Sequence, residues 1–240
     1  MDLRTAHALA NASHVVYDSE AACAEWASAK GYDEFTWIEA FDTQAMLVSN
    51  EHACVLAFRG TEPTDIGDWM TDMDIRMVED TMGMVHKGFN DALDHVWPEV
   101  LEALQTPVTA GQKLYVTGHS LGAALATLAT SRLPSMWEMY NFGSPRVGND
   151  EFVKNFNRYC DGYRFTNNND VVPRVPLSLR YAHVGDNYHF TAFGGMLKNP
   201  SGWRLSYDRF MGRLRLGVVD GIRDHNMGTY AQLVYKHMLG

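Results

Sequence analysis

The sequence predicts an α/β fold in which helices cover both faces of a mostly parallel central sheet. Short apolar segments of strand length alternate with amphipathic segments of helix length along most of the chain. Strands that are separated by helices run parallel within one sheet, and such a sheet is buried on both faces. The 240 residues contain no internal repeat and no linker rich in proline or serine. We therefore expect one domain over residues 1–240.

The first predicted elements are three strands followed by a helix. The strands are predicted over 35–40, 45–49 and 53–59, which are short and mostly apolar. The helix is predicted over 89–104, where apolar residues recur on one broad face. Pro98 lies inside this segment, and an interior proline costs roughly 3 kcal/mol unless the helix breaks or kinks there.

The second half of the chain continues the alternation in shorter segments. The predicted strands are 113–117, 138–142 and 162–166, and the predicted helices are 121–133, a short segment near 150–157, and 228–239. The region 167–200 is rich in asparagine, proline and glycine, so we expect mostly loops there.

One strand-to-helix turn in this alternation reads Gly118-His119-Ser120-Leu121-Gly122, which matches Gly-x-Ser-x-Gly. A serine on so sharp a turn has strained backbone angles, and a Cβ two residues to either side would collide, which glycine avoids. The serine hydroxyl then projects at the carboxyl end of the sheet, beside a helix N-terminus that favours negative charge. A match of five residues occurs by chance, but the strand before it and the alanine-rich helix after it favour Ser120 as a nucleophile.

A serine nucleophile needs a histidine base and an acid that orients the histidine, and in this fold they follow in the order Ser, acid, His. The histidines after Ser120 are His183, His189, His225 and His237. From the residues alone the base stays open, although His225 precedes the last predicted helix in a loop that can reach the sheet edge. His237 falls inside that helix and is predicted at the surface. His119 is predicted to be packed and hydrogen-bonded, because its position aims it away from the serine hydroxyl.

The acid is also chosen among several carboxylates. The candidates are Asp150, Glu151, Asp161, Asp170, Asp186, Asp208 and Asp220. Asp170 follows the strand 162–166 on a loop at the carboxyl end of the sheet, where sites of α/β folds collect. Its alternative role is that of an Asx-turn residue. Asp161 and Asp186 are interpreted as turn or surface residues.

The chain resembles the class 3 lipases, the fungal-type branch of the α/β-hydrolase superfamily. Besides the serine motif, the resemblance is carried by six blocks in family order, which are Phe58-Arg59-Gly60-Thr61, Asp68-Trp69-Met70-Thr71-Asp72, Val85-His86-Lys87-Gly88-Phe89, Phe142-Gly143-Ser144-Pro145-Arg146-Val147-Gly148-Asn149, Asn169-Asp170-Val171-Val172-Pro173 and Asp224-His225-Asn226-Met227. It implies the α/β-hydrolase fold with a short helical lid, a triad of Ser120, Asp170 and His225, and a structural role for His183.

An oxyanion hole requires two donors aimed at the developing negative charge. The turn geometry assigns one donor to the Leu121 N–H, and the resemblance assigns the other to Thr61. The alternative for Thr61 is a strand-end residue whose hydroxyl caps the following segment, and the two roles are compatible.

The segment after Thr61 carries a short amphipathic pattern. Ile66, Trp69, Met70 and Met73 are spaced as one helix face, with aspartates on another. Composition alone favours an ordinary helix whose apolar stripe faces the core. The position directly after the oxyanion segment favours a lid over about 62–75, with the four apolar residues also contacting the acyl chain.

Composition excludes several other classes of function. The net charge of −9 argues against nucleic acid as a partner. The chain has no Cys-x-x-Cys or His-Glu-x-x-His pattern, and its acidic residues 65–74 lack the calcium-loop spacing, so we expect no metal and no cofactor. Cys23, Cys54 and Cys160 allow one disulfide but suit free thiols equally well. No segment has the length of a transmembrane helix or the apolar core of a signal peptide, which predicts a cytoplasmic protein or a mature secreted one.

Taken with these exclusions, the resemblance implies a serine carboxylic-ester hydrolase that acts on lipid esters, an acylglycerol lipase, through an acyl-enzyme. Its partner is then a lipid or ester substrate, met in solution or at an oil–water or membrane interface. One alternative is a non-lipolytic esterase of the same fold that cleaves short-chain or feruloyl-type esters. A less favoured alternative is a binding protein that keeps the hydrolase fold without the chemistry.

Overall fold

A central sheet of eight strands organises the described part of the chain, which in this computed structural model is 1–60, 75–105, 112–134, 136–177, 179–216, 221 and 223–240. In order across the sheet, the strands are β1 (Glu34–Ala40), β2 (Thr43–Ser49), β3 (Ala53–Phe58), β6 (Lys113–His119), β7 (Trp137–Phe142), β8 (Asp161–Asn167), β9 (Asp186–Phe190) and β10 (Met196–Lys198). The pairs from β3 to β9 are parallel, and the pairs toward β1 and β10 at the two edges are antiparallel. The predicted mostly parallel sheet is confirmed.

Helices cover both faces of this sheet, also as predicted. They are α1 (Leu3–Val15), α2 (Glu20–Ala29), α3 (Lys87–Ala103), α4 (Leu121–Arg132), α5 (Asp150–Tyr159), α6 (Gly202–Leu216) and α7 (Met227–Leu239). Buried side chains of α3, α4 and α5 form one apolar cluster with the sheet, and those of α1, α2 and α7 form another on the opposite face. Every carboxyl end of a parallel strand therefore opens at the same edge between two packed layers.

Helix α3 runs without a break through Pro98. Pro98 and Asp94 are both exposed, so the Asp94 carbonyl that the proline leaves without a donor faces water. The opposite face of α3 is buried through Phe89, Leu93 and other apolar residues. Burial of that face therefore offsets the cost of the proline.

Several elements of the structure differ from the sequence-based prediction. Helices α1, α2 and α6 and a separate hairpin of β4 (Met77–Asp80) and β5 (Gly83–His86) were not predicted. The expectation of mostly loops over 167–200 was wrong for β9 and β10. Strand β9 is polar in sequence at Asp186 and Asn187, but its backbone pairs with β8 and its last three residues are buried. Pairing with a strand already in the sheet thus outweighed a weak local signal.

The predicted lid segment 62–75 lies outside the described residues except for Ile75. Thr61 also lies outside the described residues, and so do all four residues assigned to the lid and the acyl chain, namely Ile66, Trp69, Met70 and Met73. Among the described residues, no helix is both long enough and apolar enough to cross a membrane.

The three cysteines are free thiols. Cys23 and Cys54 are buried and Cys160 is half-buried. Burial raises the pKa of each thiol to about 11. A thiol with so high a pKa is almost entirely protonated near neutral pH, so these cysteines are poor nucleophiles.

Helix α1 is joined to the strand that leads to Ser120. The Ser13 and Thr117 hydroxyls are 2.8 Å apart, and the Thr117 hydroxyl donates to the Tyr140 carbonyl at 2.6 Å. Around this polar contact α1 buries Leu9 and three alanines. The amino-terminal helix is therefore part of the support beneath the β6 strand.

We predict that Leu9→Ala lowers the free energy of unfolding by about 2–5 kcal/mol, because it leaves a cavity in a fully packed layer. Urea denaturation followed by circular dichroism measures this. Arg4→Ala, an exposed change on the same helix, is the matched control and should cost less than about 0.5 kcal/mol. Equal effects of the two changes would mean that α1 does not pack on the sheet as described.

Candidate active site

Ser120 is the only residue between the end of β6 and the start of α4, and its backbone has φ 58° and ψ −126°. The turn needs glycine two residues before and two residues after the serine. A Cβ on Gly118 would lie within 3.0 Å of the Gly122 carbonyl, and a Cβ on Gly122 would lie equally close to the Phe58 carbonyl. The steric prediction made from the motif is confirmed, and the serine occupies the sharp turn that the motif implies.

Asp170 and His225 form a buried pair beside this turn. His225 Nδ1 lies 2.8 Å from Asp170 Oδ2, and both side chains are almost completely buried. Asp170 follows β8, and His225 ends a short 3₁₀ turn just before α7. Asp170 Oδ1 also accepts a hydrogen bond from the Val172 N–H at 2.9 Å. Asp170 therefore both forms an Asx-type turn and pairs with the histidine.

Tyr230 is a second donor to this acid that sequence reasoning missed. Its hydroxyl donates to Asp170 Oδ2 at 2.5 Å and accepts from the Asn167 N–H at 3.1 Å. Burial, and then the nearby Asp170, raise the pKa of Tyr230 well above its ordinary value, so the phenol stays protonated. The sequence signal that could have identified Tyr230 is a hydroxyl-bearing side chain on the apolar face of the last helix, five residues after His225.

The loop of Asp170 and the loop of His225 are tied together by Asp224. Its carboxylate accepts from the Asn169 N–H at 3.1 Å and from Asn168 Nδ2 at 3.0 Å, and its carbonyl accepts from Asn167 Nδ2 at 2.9 Å. Burial raises the pKa of Asp224. The three asparagines before Asp170 thus hold the two loops in register.

His119 anchors the backbone of His225. His119 Nε2 lies 2.6 Å from the His225 carbonyl, which can only accept, so Nε2 carries the proton and Nδ1 accepts from the Tyr17 hydroxyl at 3.0 Å. The two imidazole rings stack with centroids 4.3 Å apart. Burial, and then the neighbouring His225, hold the pKa of His119 well below its ordinary value. The prediction that His119 is packed and hydrogen-bonded is confirmed, and its partner is His225 itself.

Two buried polar atoms at this site have no hydrogen-bonding partner among the described residues, the Ser120 hydroxyl oxygen and His225 Nε2. Gly143, with φ 58°, allows the close packing here, because a Cβ on it would lie 2.7 Å from His225 Cε1. Leu121 is the first residue of α4, where backbone N–H groups lack intrahelical partners. A cavity of about 350 Å³ opens beside Leu121 and Gly60.

The other histidines lie elsewhere. His183 Nε2 donates to the Pro173 carbonyl at 2.8 Å, which fits the structural role implied by the resemblance. His189 lies between the Thr166 hydroxyl at 2.9 Å and Asp208 Oδ2 at 3.1 Å. Asp208 is therefore the partner of His189 and not of His225. The expected surface position of His237 was wrong, because that residue is half-buried and its ring contacts Phe190.

Among the remaining acid candidates, Asp161 is exposed, and Asp186 pairs with Lys198 at 2.7 Å. Asp150 and Glu151 lie in the first turn of α5. Asp220 lies outside the described residues. Within the described part of the chain, Asp170 is thus the candidate acid that contacts His225.

We predict that stability falls as the pH drops below about 6.5. His119, His183 and His189 all have lowered pKa values, with burial as the largest cause, so each is neutral when folded. The unfolded chain binds these protons below its ordinary histidine pKa. The stability contributed by neutral histidine is therefore complete above that pKa and is lost on acidification, by up to about 1.4 kcal/mol per histidine per pH unit.

Thermal unfolding between about pH 7.5 and about pH 5.5 measures this dependence. His189→Gln should reduce the slope, because it removes one of the three groups. His52→Gln is the control, since His52 is exposed and should leave the slope unchanged. A slope that is insensitive to both variants would contradict the assignment of His189 as a neutral buried group.

Comparison with protein families matches residues 55–179 to the family described as lipase (class 3). Among curated proteins, the chain is similar to secreted mono- and diacylglycerol lipase A of Penicillium cyclopium, at 36% identity over 153 residues covering 58% of this chain and 48% of the relative. It is also similar to triacylglycerol lipase OBL1 of Arabidopsis thaliana, at 29% identity over 234 residues covering 72% of this chain and 45% of the relative. The chain thus spans about half the length of the curated relatives that it matches.

Two solved structures share the fold over almost the whole chain. One is a triacylglycerol lipase with a serine protease triad at its catalytic centre, with a TM-score of 0.72, 23% identity, and coverage of 95% of this chain and 96% of the other. The other is MDLA from Penicillium cyclopium, with a TM-score of 0.68, 28% identity, and coverage of 93% and 91%. The α/β-hydrolase fold predicted from the sequence is thereby confirmed. Because the family match spans just over half of the 240 residues, the chain belongs to the class 3 lipase family.

Proposed function

We propose that this chain hydrolyses carboxylic esters of lipids, as an acylglycerol lipase, through a covalent acyl-enzyme on Ser120. The observation that carries the proposal is the buried turn at Ser120 next to a His225–Asp170 pair at 2.8 Å. A serine hydroxyl and an imidazole nitrogen without other hydrogen bonds, with a carboxylate on the far side of the imidazole, are the parts of a serine hydrolase.

In the proposed mechanism, His225 Nε2 takes the proton from the Ser120 hydroxyl as its oxygen attacks the ester carbonyl carbon. Asp170 accepts the hydrogen bond from His225 Nδ1 and stabilises the imidazolium that forms. The negative oxygen of the tetrahedral intermediate accepts the Leu121 N–H and, as the resemblance implies, a donor from Thr61. His225 then protonates the leaving alcohol, and water hydrolyses the acyl-enzyme by the same steps.

Lipid esters as substrates are supported by the relatives. The proteins from Penicillium and Arabidopsis are named mono- and diacylglycerol and triacylglycerol lipases. Relatives from Penicillium and Fusarium are also named as secreted, which supports the secreted alternative of the two locations that the sequence predicts. A lid over 62–75 that contacts the acyl chain remains part of the proposal on sequence grounds.

We predict that Ser120→Ala lowers ester hydrolysis by at least about a thousandfold with almost no change in melting temperature. The serine hydroxyl has no partner among the described residues, so its removal leaves no group unpaired. His225→Ala should be about as damaging, because members of a triad act as a unit. Asp170→Asn should cost up to about 10⁴ in kcat through the wrong imidazole tautomer. His237→Ala is the control and should retain activity.

The measurement is the rate of hydrolysis of p-nitrophenyl esters from acetate to palmitate, of emulsified acylglycerols and of feruloyl esters. Highest activity on long-chain esters and acylglycerols supports the lipase. Activity confined to short-chain or feruloyl esters would instead identify the non-lipolytic esterase. If the wild-type chain hydrolyses none of them and a fluorophosphonate does not label Ser120, the binding-protein alternative replaces the proposal.

We predict that His119 is a positioning residue for the proposed base. His119→Leu removes the donor to the His225 carbonyl, which costs about 1–3 kcal/mol of stability and should lower kcat more than it changes KM. His119→Gln keeps an N–H donor and should restore most of kcat. The pH dependence of kcat, measured for all three proteins, reports whether the base is disturbed. An equal loss of kcat in the Leu and Gln variants would show that the hydrogen bond from His119 to the His225 carbonyl does not position the base.

A further inference from the structure

Helix α6 has its polar and apolar faces reversed relative to an ordinary surface helix. Its inner face carries Asp208, which is buried against His189 and also accepts the Ala192 N–H at 3.2 Å. Gly212, on the same face, lies close to the side chains of Asn168 and Asn169. The side of α6 that packs on the protein is therefore polar at its centre.

The outer face of α6 is aromatic. Trp203, Tyr207 and Phe210 follow one another at i, i+4 and i+7, which puts them on one face of the helix, and they are 70%, 47% and 58% exposed. We call these three residues the aromatic face. Core packing does not account for it, because the inner face of α6 already meets the protein.

The charge of α6 is opposite to that of the chain. The helix contains four arginines, Arg204, Arg209, Arg213 and Arg215, against the single Asp208 that is paired with His189. The whole chain has 20 lysines and arginines against 29 aspartates and glutamates. Arg204 lies over the Tyr207 ring, 5.7 Å from its centroid. Arg209 lines an inner cavity together with Asp170 and His189, whereas Arg204 is exposed. A positive charge therefore lies beside exposed aromatic side chains in an otherwise acidic protein.

Tryptophan, tyrosine and phenylalanine beside arginine are typical of helices that lie in the headgroup region of a membrane. The rings enter the boundary between headgroups and acyl chains, while the guanidinium groups meet anionic headgroups. A net basic helix on a net acidic protein is not explained by attraction to neutral oil. Charge complementarity favours an anionic lipid surface over a neutral one.

The location of α6 is compatible with a lipolytic role. Its inner face contacts Asn168 and Asn169, which directly precede the proposed catalytic acid Asp170. The aromatic face lies on the other side of the same helix, about 10 Å away across its width. A lipid surface held by α6 therefore comes close to the loop that carries the acid.

We propose that the aromatic face and Arg204 of α6 dock the protein on an anionic lipid bilayer. The helix lies flat on the surface, with Trp203, Tyr207 and Phe210 in the headgroup boundary. The use of this docking for hydrolysis rests on the proposed lipase function, whereas the docking itself does not require Ser120.

Sedimentation with lipid vesicles tests the docking independently of catalysis. The probe protein is the full chain with Ser120→Ala, so that no lipid is consumed. It is mixed with vesicles of phosphatidylcholine alone and with vesicles that also contain phosphatidylserine. We expect binding to the anionic vesicles at least about tenfold tighter than to the neutral ones, and weaker binding as salt is raised.

The decisive variant is the triple change Trp203→Ser, Tyr207→Ser and Phe210→Ser. Because these side chains are exposed, the melting temperature should be kept, and binding to anionic vesicles should fall at least about tenfold. Arg204→Glu should weaken binding on the order of tenfold on anionic vesicles only. The matched control changes three exposed apolar side chains elsewhere to serine, namely Leu101, Tyr159 and Tyr235, and should bind like the parent.

Several outcomes would overturn the proposal. Equal binding to neutral and anionic vesicles would show that charge does not contribute to docking. An equal loss of vesicle binding in the triple variant and in its control would show that the aromatic face of α6 is not the docking surface. If the parent does not bind vesicles but sediments as a dimer that the triple variant abolishes, the aromatic face is instead an interface with a second copy.

Hydrolysis of soluble p-nitrophenyl butyrate, measured with Ser120 restored, separates this proposal from the proposed function. Wild type and triple variant should have the same rate on this substrate. If the parent chain does not bind anionic vesicles while wild type hydrolyses the soluble ester fully, only the docking proposal is contradicted. Vesicle binding without any hydrolysis contradicts only the proposed lipase.

Discussion

The backbone at Ser120 turns from a strand into a helix within a single residue, with a positive φ that L-residues rarely adopt. Such a turn persists only when its surroundings enforce it. Here the enforcement is steric on both sides, since Gly118 and Gly122 leave no room for a Cβ, and the Ser120 N–H donates to the Phe142 carbonyl at 3.1 Å. The end of β6, the start of α4 and the place of the buried serine beside His119 and Leu121 all depend on this one constraint.

Around that turn, buried polar groups are paired almost completely. Asp170 accepts three hydrogen bonds, from His225, Tyr230 and the Val172 N–H. His119 holds the backbone of His225 while Tyr17 holds His119. Because an unpaired buried polar group is costly, each of these bonds restricts where the next residue can lie. Buried atoms without partners among the described residues include Asn169 Oδ1, the serine oxygen and the imidazole nitrogen, and the last two are the atoms that the proposed reaction requires.

A second buried His–Asp pair, His189 with Asp208, shows that such a pair does not by itself identify a site. This pair joins α6 to β9. The second ring nitrogen of His189 contacts the Thr166 hydroxyl and not Ser120. By burying this carboxylate, α6 turns its polar side inward and leaves aromatic side chains outside. The pair therefore holds the inner face of α6 against the loop that precedes Asp170, and the aromatic residues of α6 remain exposed on its outer face.

The α/β class, the turn at Ser120, the loop of Asp170 after a strand and the loop of His225 before the last helix could all be predicted from the sequence. These features are local, since a turn that requires two glycines and a strand that ends in a loop are visible within a few residues. Choosing His225 over three other histidines needed the family resemblance, because distant loops carry no mutual signal in one sequence. The support that Tyr230 and His119 give to Asp170 and His225, the pairing of Asp208 with His189 and the addition of β9 to the sheet become visible in the folded chain. Each of those results is a pairing between residues far apart in the chain, and its energy comes from satisfying a buried polar group or extending an existing sheet, which no local pattern records.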